Sequence, residues 1–194
     1  MTEYWYHGSP NHFEVFNDAW IGNGTDQLGS GHYFTNRIET ARGYALKGKD
    51  GETVDEGHLL TARISIRKPL PEHARVTRRQ IEQVIRSAPD FEDTLRNFGD
   101  VDYYGIDRVI RETVDVYEGM NSDPGDNTLQ MLFCLSNDFY RSEPARFLEV
   151  FSGATGYDGL YREIGDEVHA VVWNAGNIEI MDRTPVALDR APTP

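Results

Sequence analysis

Strand-forming segments lie at the two ends of this chain, and a long run of helix-patterned sequence separates them. Strand and helix do not alternate regularly, which argues against a doubly wound parallel sheet. The segregation predicts an α+β architecture in which the terminal strands meet. The first strand is short and aromatic, Tyr4-Trp5-Tyr6-His7, and Gly8-Ser9-Pro10 closes it. A second, His32-Tyr33-Phe34-Thr35, follows the glycine-rich loop IGNGTDQLGSG at 21–31. Asn36 is placed to cap a helix over 37–47, and the polar residues 48–58 read as an exposed loop. Leu60, Ala62, Ile64 and Ile66 alternate with Thr61, Arg63, Ser65 and Arg67. That period of two marks a strand over 59–67 with one buried face, stopped by Pro69 and Pro71. Late strands are expected at 159–162, 167–173 and 178–181, and the proline-bearing tail 184–194 reads as loose.

Residues 72–150 read as helical. Thr77 and Gln80 have capping-box spacing, and Ile81, Val84, Ile85 and Ala88 form one stripe that ends before Pro89. Ile106, Val109, Ile110, Val114 and Tyr117 form a second, and Leu129 to Phe139 suggest a third helix. Ser142 is placed to cap a fourth, which carries Phe147, Leu148 and Phe151 and stops at Gly153.

With 194 residues, 39% of them hydrophobic, the chain can bury a substantial core. The expectation is one domain over 1–194 with a helical insert at 72–150. No apolar run approaches the roughly 20 residues of a spanning helix. The first residues, MTEYWYHGSP, lack a basic stretch followed by an apolar one. Cys134 is the only cysteine, so neither an intramolecular disulfide nor a cysteine-built zinc site is available. These features point to a cytoplasmic protein. Acidic residues outnumber basic ones 32 to 19, for a net charge of -13. Such a surface repels phosphate backbones, although a local cleft can still bind an anion.

His7 ends a strand at a small-residue turn, Tyr33 follows Gly29-Ser30-Gly31, and Tyr44 lies in the next helix. A histidine, two tyrosines and glycine loops suit a flat, polar, aromatic ligand. The same features also occur in ordinary cores. Nucleotide loops of the common kinds are absent, and so is a GxSxG elbow. The histidines are scattered without metal-ligand spacing.

The combination of YHGSP (6–10), GHYFT (31–35), Tyr44 and HAVVWNAGNIEI (169–180) resembles the ADP-ribosyltransferase superfamily. More narrowly, it resembles the diphtheria-toxin-like and poly(ADP-ribose)-polymerase-like branch, in its phage and bacterial form. That branch carries His, Tyr and Glu on three strands. The resemblance covers residues 4–70 and 155–182 and implies a split β-sandwich around an NAD cleft. It also implies a mono-ADP-ribosyltransferase that uses NAD as co-substrate, releases nicotinamide and modifies a macromolecule, as a toxin or effector would. The acidic surface favours a protein acceptor over nucleic acid. If the chain is phage-encoded, the cytoplasm is the host's.

By position, the resemblance implies that His7 bonds the adenosine ribose and that Gly8 holds the nicotinamide amide, with Ser9 assisting. Tyr33, with Phe34 beside it, and Tyr44 would clamp the nicotinamide ring. Gln27 would sit in a mobile loop over the donor, and Gly156-Tyr157-Asp158-Gly159 resembles a turn that precedes the late strands. His169 stands where the family has its catalytic Glu. Cleaving the nicotinamide–ribose bond builds positive charge on the ribose, which a carboxylate stabilises. Glu167 shares a strand face with His169, so it is a candidate substitute or a partner that orients His169. The catalytic set is thus His7, Tyr33, Glu167 and His169. An inactive NAD-binding or partner-binding scaffold and an NAD glycohydrolase remain as alternatives.

Overall fold

A computed structural model describes residues 4–22, 28–48, 50–122, 128–141 and 143–188. The chain divides into two compact units, one drawn from 1–24, 31–67 and 159–194, the other from 25–30 and 68–158.

The first unit is a sheet with one helix. Its strands are β1 (Trp5–Ser9), β2 (His32–Thr35), β3 (Glu56–Ile64), β4 (Gly159–Ile164), β5 (Glu167–Val172) and β6 (Ile178–Ala187). They form one six-stranded antiparallel sheet in the order β4-β5-β2-β1-β3-β6. The split β-sandwich that the resemblance implies is here one continuous sheet with a thin seam. Among the described residues β1 and β2 register at a single pair, Tyr6 opposite Thr35, whereas β1 and β3 register from Trp5/Ala62 to Ser9/His58. Trp5, Phe34, Ala62, Ala170 and Val172 form the core on one face, flanked by Phe16, Tyr161 and Ile178. Helix α1 (Ile38–Ala45) packs on β1, β2 and β3 from the opposite face. It reaches the strands closely because Gly8 and Gly57 lack side chains. A Cβ on Gly8 would stand 1.8 Å from the Ala41 carbonyl oxygen, and one on Gly57 would stand 1.9 Å from that of Ala45.

Several boundaries differ from the sequence reading, some of them for a clear physical reason. Asn36 does not cap α1. Its Oδ1 accepts from Val168 N–H and its own N–H donates to Val168 O, so it extends the β2–β5 ladder and leaves Arg37 as the uncapped N-terminal residue. β3 begins at Glu56 because Thr184–Ala187, expected to be loose, pair with Glu56–Leu59. Pro185 is tolerated there because β6 is an edge strand and can spare a ladder donor.

The second unit holds α2 (Arg78–Arg86), α3 (Phe91–Leu95), α4 (Val101–Tyr104), α5 (Ile106–Ser122), α6 (Thr128–Phe139) and α7 (Pro144–Thr155). The Thr77/Gln80 capping box forms as expected. α2 packs on α5 and α7 through Ile81, Val84 and Ile85, and α5 packs on α6. α7 runs through Gly153 and ends at Gly156, whose φ of 78° lies in the left-handed region that terminates helices. The cap expected at Ser142 lies outside the described residues. No helix among the described residues is long and apolar enough to cross a membrane.

Candidate active site

Side chains alternate across a strand, so β2 presents Phe34 to the core and Tyr33 and Thr35 to the α1 face. On β5, Val171 lies opposite Tyr33 and His169 opposite Thr35. Glu167, two residues before His169, follows on the same face. The structure thus brings Tyr33, Glu167 and His169 together on the side of the sheet that α1 covers. Gly8 stands level with Tyr33 across the seam, by the Tyr6/Thr35 register.

Glu167 is held by three side chains. His169 Nε2 lies 3.0 Å from its Oε1. Its Oε2 accepts from Thr40 Oγ1 at 2.7 Å and from Thr35 Oγ1 at 3.3 Å. Thr35 Oγ1 in turn accepts from Arg37 N–H, which aims its own proton at the carboxylate. The Thr40 hydroxyl, then His169, hold the Glu167 carboxyl below the usual carboxylate range. The site therefore presents an ionised carboxylate with an imidazole on one oxygen and two hydroxyls on the other. Arg162 occupies the position opposite His169 on β4.

His7 lies elsewhere. Its Nδ1 is 2.7 Å from Tyr33 O, across the seam. Its ring touches Phe13, Phe16 and Phe34, which belong to the core side. A carbonyl oxygen only accepts, so Nδ1 carries the proton and Nε2 of the neutral ring is an acceptor. Burial is the main cause that pushes the His7 pKa down to about 4, so the ring is neutral near pH 7. No residue among those described bonds Nε2. His7 and Tyr33 are thus linked through a backbone carbonyl, with their side chains on different sides of the sheet.

The remaining candidates fall out as follows. Tyr44, half exposed, lies one helical turn after Thr40 on α1, and so flanks the buried Ala41 and Ala45. Phe34 is only 2% exposed and belongs to the core cluster, where its ring meets those of His7 and Phe16. The Ser9 hydroxyl donates to Asn11 O and accepts from Asn11 N–H, closing the turn after β1. Gln27 lies outside the described residues. In Gly156-Tyr157-Asp158-Gly159, Asp158 accepts from Lys68 N–H, and Lys68 Nζ donates to Thr155 O at the end of α7.

Two features escaped the sequence reading. Thr40 has no motif around it, and only its spacing from Tyr44 places both on one side of α1. His32 Nε2 lies 2.8 Å from Asp18 Oδ1, which also accepts from Ala175 N–H. That carboxylate ties the short 3-10 turn Asp18–Trp20 to β2 and to the turn before β6. In the helical unit, a cleft of about 450 Å³ is lined by Asp90, Asp93, Asn97, Tyr140 and Arg141 among others.

The model of the family described as ADP-ribosyltransferase in polyvalent proteins matches residues 3–175. The chain belongs to that family, and membership supports ADP-ribosyltransferase activity in the broad sense. No curated protein matches the chain. A solved structure titled "Crystal structure of an anti-CRISPR protein" aligns with 92% of this chain and 94% of its own at 14% identity. Its TM-score of 0.31 is too low to carry an argument.

Proposed function

We propose that this protein is an NAD-dependent mono-ADP-ribosyltransferase of the His-Tyr-Glu branch that modifies a protein and releases nicotinamide. The observation that carries this reading is the Glu167–His169 pair, set on the same sheet face as Tyr33 at the position of the family's catalytic Glu. The ionised Glu167 carboxylate supplies the negative charge that a cationic ribose centre requires. The seam suits the donor. His7 Nε2 is an acceptor fit for a ribose hydroxyl, and Gly8 follows it at the seam, level with Tyr33. Tyr33 and Tyr44 supply rings for the nicotinamide. We assign acceptor recognition to the helical insert at 72–150, because the donor motifs at 6–10, 31–35 and 169–180 and Tyr44 lie outside it. We assign the activity to the cytoplasm, in a bacterial or phage-borne effector role.

A second reading rests on a specific observation. Both Glu167 oxygens are already engaged, by His169 and by Thr40 with Thr35. On that reading the chain is an NAD-binding scaffold that has lost turnover. Labelled NAD, incubated with the protein with and without cell lysate, separates the two. Nicotinamide release with a labelled protein supports transfer, and free ADP-ribose without label indicates a glycohydrolase. An NAD-induced thermal shift without release supports the scaffold.

A further inference from the structure

We infer that His169 Nδ1 is the base that takes the proton from a hydroxyl acceptor, so that the target is a serine, threonine or tyrosine side chain. This deepens the transferase reading and rests on it. Glu167 Oε2 is occupied by two hydroxyl donors, Thr40 and Thr35, and Oε1 faces His169 Nε2 at 3.0 Å. A carboxylate held by hydroxyl donors is an acceptor at its other oxygen also, so the imidazole proton sits on Nε2. The neutral ring then has its lone pair on Nδ1, which no described residue bonds. A carboxylate-backed imidazole with a bare nitrogen is the arrangement that deprotonates a weakly acidic O–H. The family's Glu, by contrast, would present a carboxylate directly.

The step balances without a further reagent. The acceptor oxygen bonds to the ribose anomeric carbon while the carbon–nitrogen bond to nicotinamide breaks. Nicotinamide leaves as a neutral molecule with that bonding pair. The acceptor's proton moves to Nδ1 and from there to solvent. A hydroxyl needs such a base because it is protonated at neutral pH, whereas a carboxylate acceptor needs none. The net charge of -13 favours a hydroxyl on a protein over one on a nucleic acid. Glu167 bonds the imidazole from its own strand, Thr35 on β2 and Arg162 on β4 occupy the paired positions, and Thr40 on α1 bonds Glu167. Thr40 and Thr35 are positioning residues, since they act through Glu167.

The test pairs a tautomer measurement with a linkage measurement. In protein labelled with nitrogen-15 at histidine, His169 is expected to carry its proton on Nε2. Glu167→Gln is expected to raise the Nδ1–H population while the fold, judged by the remaining spectrum, persists. A wild-type Nδ1–H tautomer overturns the inference. Mass spectrometry of labelled protein is expected to place ADP-ribose on a side-chain hydroxyl, and attachment to a carboxylate or a guanidinium overturns it. His169→Gln is expected to lower transfer about 10²-fold or more with NAD affinity retained, and undiminished transfer overturns the inference. If no nicotinamide is released under any condition, the transferase reading fails and the role of His169 fails with it. Release with the wrong tautomer or linkage overturns this inference alone.

Discussion

Thr40 Oγ1 donates to Glu167 Oε2 at 2.7 Å, and this contact ties the first helix to the start of the β5 strand. A hydrogen bond to a charged acceptor contributes about 1.5–3 kcal/mol when fully shielded. Glu167 is partly open to solvent, so the expected loss for Thr40→Val is about 1 kcal/mol, read as a lower urea midpoint at pH 7. The pH dependence has a definite sign. The folded carboxyl lies below its usual range, so its stabilisation is present above the ordinary carboxylate pKa and is lost as pH falls through the folded value. Thr40→Val should therefore lose less stability on acidification than wild type. An unchanged acid slope would show that Thr40 does not set the state of Glu167.

His7 supplies a second pH signature. Its pKa falls from 6.5 to about 4 on folding, chiefly through burial. Above pH 6.5 both states are neutral and stability does not depend on this group. Between about pH 6.5 and 4 the unfolded chain binds a proton that the folded one refuses, so stability drops as pH falls through that window. The full effect is about 3 kcal/mol at the lower end. Denaturant curves of wild type and His7→Gln at pH 7.5 and 4.5 measure it. The two proteins should differ in pH slope, and parallel slopes would contradict the buried, neutral ring.

Gly8→Ala should destabilise the protein by at least about 2 kcal/mol, because the added methyl meets the helix backbone at Ala41 and Ala45 and neither can move alone. The measurement is a thermal or urea melt of the variant. This structural role is separate from any contact with nicotinamide, so a loss of NAD binding in Gly8→Ala does not assign Gly8 to the donor site. A stability near wild type would mean that the helix sits farther from β1.

The sheet was legible where aromatic or β-branched residues crowd a short segment, as in β2 and β5, and where alternation was clean, as in β3. It was illegible at Thr184–Ala187, because Pro185 reads as a breaker unless the strand is known to lie at an edge. Asn36 misled for a related reason, since its side chain competes equally well for a strand backbone as for a helix terminus. Of the site, Glu167 and His169 share a face by strand period two, whereas Tyr33 entered through the family resemblance and joins them through the β2–β5 register, which no local pattern encodes. The placement of His7 was not legible, because a residue next to a thin seam turns on its bond to Tyr33 O, which no local pattern encodes. Thr40 was invisible because its partner lies across the sheet in a segment far along the chain.

Tyr33→Ala should weaken NAD binding by about 1–3 kcal/mol, the scale of a lost aromatic contact and its burial. Tyr44→Ala should cost less, because that ring is half exposed before any ligand arrives. Calorimetric titration of both variants checks the order. Equal affinities for Tyr33→Ala and wild type would remove Tyr33 from the donor site.

Glu167→Gln separates charge from shape. Gln keeps the size and one acceptor oxygen but carries no negative charge, so the imidazole loses its carboxylate and the ribose centre its counter-charge. Turnover should fall by about 10²-fold or more, the usual scale for one electrostatic stabiliser, while NAD affinity should hardly change. Initial rates of nicotinamide release, set beside calorimetric affinities, give both quantities. His169→Glu is the complementary change. It places a second carboxylate within reach of Glu167 Oε1, where like charges repel and one of the two must take up a proton. On the transferase reading the wild type already turns over and this variant does not start a reaction that was absent. A wild type without turnover, awakened by His169→Glu, would identify the chain as a scaffold whose chemistry was lost at that one position.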